Sequence, residues 1–176
     1  MADAIFEPEI KRSLLWLQKE MGGNVPPVAI ECKRTMDARL SFDKVKDEQV
    51  ENLAKFVKKG IVRKMIVSQG FGNQRRFTGD TPFDFLMCGA GYGYLLVNFR
   101  FTKKAPRKDI AKGTNRCFAV PVDLYMQAKE DAVAEGRASL SYDWFVENTI
   151  ECARLRVKNE QDVAESGWDL SALLTQ

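Results

Sequence analysis

With 176 residues and 45% hydrophobic content, the chain is long enough to bury a sizeable core in one domain. It contains no histidine, which excludes serine, cysteine and phosphohistidine mechanisms that need imidazole, His-metal nucleases and most zinc chemistry. The formal charge of +3 is segregated: residues 1 to 54 carry 8 Lys/Arg and 10 Asp/Glu, residues 55 to 116 carry 14 and 3, and residues 117 to 176 carry 5 and 11.

A basic central third between acidic flanks is the footprint of a polyanion surface, with nucleic acid ahead of a merely solvated basic face. Without imidazole, hydrolysis has to run on carboxylates, lysines and hard cations. Cys32, Cys88, Cys117 and Cys152 are scattered with no Cys-x-x-Cys pair, so reduced, mostly buried thiols are expected in place of a zinc site or disulfide framework. No apolar run approaches the ~20 residues of a membrane span and the N-terminus lacks an apolar signal segment, so the expected setting is soluble and cytoplasmic.

Pro8 opens a helix at its tolerated first turn, and Ile10, Leu14, Leu15 and Leu17 give it an apolar face through about Met21. Gly22-Gly23-Asn24 stops it, and Pro26-Pro27 lead into an extended run, Val28 to Thr35. In a strand, residues i and i+2 share a face. Glu31 and Lys33 therefore point one way, Ile30 and Cys32 the other. A carboxylate there can hold a divalent cation through oxygen, and the lysine can orient water or steady charge on a phosphate; a solvated ion pair is the plain alternative.

A polar link then leads to an amphipathic helix from Asp47 to Gly60, with Val50, Leu53, Ala54 and Val57 inward, Lys55, Lys58 and Lys59 outward, and Gln49 in its first turn. A strand Glu31-x-Lys33, a Ser41-Phe42 link and a helix bearing Gln49 and Leu53 together resemble the RecU-like Holliday-junction resolvases, a branch of the PD-(D/E)XK nuclease superfamily. The resemblance covers residues 28 to 60. It implies a restriction-endonuclease-like α/β fold with a central mixed sheet flanked by helices, and magnesium (or manganese) at the site. It also implies a homodimer that presents two active sites to branched DNA. Glu31, Lys33 and Gln49 take the catalytic positions, and Glu9 or Glu20 of the N-terminal helix is a candidate further metal ligand; helix-end charge accounts for acids near that N-terminus equally.

After a strand from Val62 to Val67, residues 68 to 80 combine glycines, Phe71, Phe77, Arg75 and Arg76. The arginines suit phosphate clamping and the phenylalanines either stacking at a distorted junction or the core. Asp84 then falls in an apolar strand behind Pro82 and looks like the Pro-x-Asp element of the same superfamily, a second metal ligand. A buried carboxylate needs a partner, which a cation or a basic side chain supplies.

The order departs from the family, because Asp84 follows Glu31 by about fifty residues instead of preceding it. Either the elements are rearranged and Asp84 lies beside Glu31 in space, the preferred reading, or Asp84 and Asn98-x-Arg100 form a degenerate site that binds DNA without cutting it. A strand from Tyr94 to Thr102 and a basic loop follow, with Lys103, Lys104, Arg107 and Lys108 placed to grip DNA beside Arg34, Arg75 and Arg76. Asn115 to Pro121 is expected as an edge strand.

From Val122 the chain is expected to be a helical, acidic extension: one helix through Glu135 closed by Gly136, then another from Ser141 whose stripe continues through Ile150, Ala153, Leu155 and Val157. Tyr142, Trp144 and Phe145 are expected in the core. The apolar tail around Trp168, Leu170 and Leu173 has either its own core or a second subunit to dock on. The expectation is one domain, residues 1 to 121 as an α/β core and 122 to 176 as the extension.

Overall fold

Two strands about sixty residues apart in the chain form the centre of the fold. In the computed structural model, which describes residue 10 and residues 27–65, 84–88, 91–101, 108–154 and 168–174 (61–65, 84–88 and 174 by backbone alone), β1 (Val28–Thr35) runs parallel to β5 (Tyr92–Arg100). Parallel neighbours need a long crossover. Here it contains α1 (Asp47–Lys59) and the antiparallel pair β3 (Ile61–Met65) and β4 (Asp84–Cys88). Antiparallel β6 (Asn115–Pro121) and β8 (Ile150–Cys152) complete a mixed four-stranded sheet in the order β1-β5-β6-β8. A short pair, β2 (Arg39–Ser41) with β7 (Ser139–Ser141), lies outside it, and α2 (Val122–Ala134) and α3 (Tyr142–Asn148) complete the α/β arrangement.

Side-chain alternation along the strands divides the core into two layers. One joins Leu95, Val97 and Phe99 of β5 and Phe118 and Val120 of β6 to the inner faces of α1, α2 and α3. The other joins Cys32, Tyr94, Leu96, Cys117, Ala119 and Cys152 to Ile10 and to the tail residues Trp168, Leu170 and Leu173. The tail thus docks on its own core, where the Tyr94 hydroxyl donates to the Leu173 carbonyl at 2.7 Å. Tyr142 and Phe145 pack edge-on around Phe99, as core aromatics do.

Two expectations are corrected. The helix begun at Ser141 ends at Asn148, and Ile150–Cys152 is a strand, so residues 122 to 176 are not a purely helical extension. Ile150 and Cys152 pack into the second layer while Glu151 points out, a period-two pattern too short to show beside a helix-like apolar spacing. Because β8 pairs with it, β6 is an inner strand and not the edge.

Gly93 sets how closely α1 approaches the sheet. A Cβ there would stand 2.7 Å from Val57 Cγ2 and 3.2 Å from the Leu53 carbonyl oxygen, so only a bare backbone lets α1 settle on β5. Gly93→Val is expected to cost about 1–3 kcal/mol through overpacking, measured as a lowered chemical-denaturation midpoint, and to push α1 away from β1.

Candidate active site

Glu31, Lys33 and Gln49 meet at one point. On β1, Glu31 and Lys33 share the parity of Ala29, which packs in the α1 layer, whereas Val28, Ile30 and Cys32 belong to the opposite layer. Lys33 Nζ lies 2.8 Å from Glu31 Oε1, with side chains 11% and 24% exposed respectively. Gln49 Nε2 donates to the same Oε1 at 2.7 Å.

The orientation of the Gln49 amide follows from its other end. Gln49 is the third residue of α1, and its Oε1 accepts from the Lys46 backbone N–H at 3.2 Å, the returning half of a capping interaction. With its oxygen held by a donor, its NH2 is directed at the carboxylate. Helix initiation and site geometry are therefore one feature.

Magnesium is commonly held by one or two carboxylates plus waters and substrate phosphates. Glu31 meets the lower figure, since both bonds fall on Oε1 and neither uses Oε2. Among the described residues, no three of Cys, Asp or Glu gather as a metal-holding group. Asp84 opens β4, where it pairs with Met65 in a sheet separate from that of Glu31. The neighbour of β1 is β5, with Leu95 opposite Glu31 and Val97 opposite Lys33.

Arg34, expected at phosphate, is turned to the other face and is only 9% exposed. Its Nε donates to Asn98 Oδ1 at 2.7 Å, and Asn98 Nδ2 donates to Asn115 Oδ1 at 2.8 Å and to the Arg116 carbonyl at 3.1 Å. Asn98 thus belongs to a buried polar network that links β1, β5 and β6. Nothing in local spacing marked the partnership; an amide inside the apolar run of β5 was the available signal.

Of the remaining expected DNA contacts, Lys108 is exposed in a turn. Glu9, Glu20, Arg75, Arg76, Lys103, Lys104 and Arg107 lie outside the described residues. Within the basic third, Arg116 is engaged internally: its guanidinium forks onto Glu151 and bonds the Tyr142 hydroxyl. The Glu151 hydrogen bond, chiefly, holds its pKa above the ordinary guanidinium value.

No protein-family model, no curated protein and no solved structure matches the chain. Among the described residues, no helix is long and apolar enough to cross a membrane.

Proposed function

We propose that the chain is a metal-dependent, structure-selective DNA endonuclease with a restriction-endonuclease-like core, most like a Holliday-junction resolvase and acting as a homodimer. The observation that carries the reading is the convergence of Lys33 and Gln49, from a strand and a helix, on one oxygen of Glu31. The basic central third supports a polyanionic substrate.

Glu31 holds magnesium or manganese in this reading, with Asp84 and Glu9 as the further ligands that the resemblance implies. The bound cation supplies Lewis acidity at the phosphate and lowers the pKa of water. Lys33 orients the attacking water and steadies negative charge developing at phosphorus. Gln49 keeps the Glu31 carboxylate in place, as a positioning residue.

The test is cleavage of a four-way junction and of linear duplex, with and without magnesium. Wild type is expected to cut the junction only with metal, and Lys33→Met to cut roughly 10²-fold more slowly. Binding is expected to persist in the variant and to weaken steeply with salt. Salt-sensitive binding with no metal-dependent cutting would favour a second reading, a DNA-binding protein without hydrolysis. The observation on its side is that Asp84 and Glu31 stand on strands of separate sheets.

A further inference from the structure

We propose that the open groove between α1 and α2 is a docking site for a basic amphipathic helix of a partner protein. The groove has a volume of about 530 Å³, with Val50, Met126, Val133 and Ala134 supplying its apolar surface. Asp47, Glu51, Lys129 and Glu130 complete its lining.

The pattern along α2 shows that its apolar stripe reaches the surface at one edge. Val122, Tyr125 and Ala132 are buried against the core. Met126, partly buried against the same core, and Val133, seven residues on, form the outer edge of that stripe at the spacing of two helical turns. Val133 is 56% exposed, one of three large hydrophobic side chains so exposed among the described residues.

Charge selects the occupant. Lys129, the one cation of the lining, is ion-paired with Asp47 across the two helices and lies over the Phe42 ring. Glu51 has an exposed partner in Lys55, a pair that water screens, and Glu130 adds a further negative charge at the surface. An anionic rim around an apolar floor repels DNA and fits a helix with apolar anchors flanked by Lys or Arg, the helix-in-groove mode of recognition. The walls are helices of 13 residues each, matching a partner segment of a few turns. The inference does not depend on hydrolysis at Glu31.

The experiment is an NMR titration of the full chain with three synthetic peptides of about 14 residues, ~20 Å long when helical. They are a Leu/Lys amphipathic helix, its counterpart with Glu for Lys, and its counterpart with Gln for Leu. The Leu/Lys peptide is expected to give saturable shifts centred on Val50, Met126 and Val133, and the other two to bind roughly tenfold or more weakly. Val133→Glu and Glu130→Lys, both at exposed positions, are each expected to weaken it about tenfold with unchanged melting temperature. Shifts centred elsewhere, equal response to all three peptides, or no saturable binding would overturn the proposal. Groove signals that broaden with protein concentration alone would also overturn it, by assigning the face to a second copy of the chain.

Discussion

Glu31→Gln is expected to reduce magnesium-dependent cleavage of branched DNA by roughly 10³-fold or more while leaving DNA binding intact. The substitution is isosteric, and its amide oxygen can still accept from Lys33 Nζ, which lies 2.8 Å from Glu31 Oε1, so the fold is expected to persist. The charge that would hold a cation is removed. Binding is expected to strengthen slightly, because a negative charge leaves the phosphate path. Gln49→Leu should act differently, since its amide touches the carboxylate and not the substrate. A loss of about tenfold, accompanied by a higher magnesium concentration for half-maximal rate, is the signature of a group that only orients Glu31. Cleavage undiminished in Glu31→Gln would place hydrolysis elsewhere in the chain.

What the sequence made legible was local. The i, i+2 rule put Glu31 and Lys33 on one face and Ile30 and Cys32 on the other, and the two core layers divide that way. The helical period marked α1 and its buried Val50, Leu53 and Ala54, with the exposed lysines opposite. Gln49 was legible through the family resemblance and not through the helical period, which reads it as an ordinary exposed glutamine; two residues inside α1, it reaches both the helix start and Glu31 of β1.

The less legible part was non-local. Which strand lies beside β1 is decided by packing between segments some sixty residues apart, and both Asp84–Cys88 and Tyr92–Arg100 are apolar enough to compete. In the fold, β5 takes that place, buried on both faces and bare at Gly93 where α1 approaches. Asp84 lies instead in the β3–β4 pair. Arg34 shows the same limit: its sequence neighbours gave no sign that its acceptor is Asn98, 64 residues away. At Ile150–Cys152 an apolar spacing that continued the α3 stripe masked a three-residue strand, because two inward positions are too few to establish a period of two.

Asn98→Leu is expected to be strongly destabilising, at about 2–4 kcal/mol. The side chain is 0% exposed, and a leucine, with the same number of side-chain heavy atoms and a larger volume, leaves no cavity, so the cost is chiefly polar. Arg34 Nε loses its acceptor, and Asn115 Oδ1 and the Arg116 carbonyl lose a donor. Bonds involving a charged partner contribute most, and buried polar groups that lose a partner are penalised further by their low-dielectric surroundings. Adding Arg34→Leu removes the donor that Asn98 serves, so the double variant is expected to be less destabilised than the sum of the two singles, with a coupling of about 1–3 kcal/mol. Denaturant unfolding of the four proteins measures that coupling directly, and additive losses would mean that Arg34 and Asn98 stabilise the sheet independently. Arg34 alternates with Lys33 along β1, one side chain on each face. The polar network therefore anchors the strand from one side at the level where Lys33 and Glu31 act from the other, and loss of this anchor is expected to loosen the site without removing any group from it.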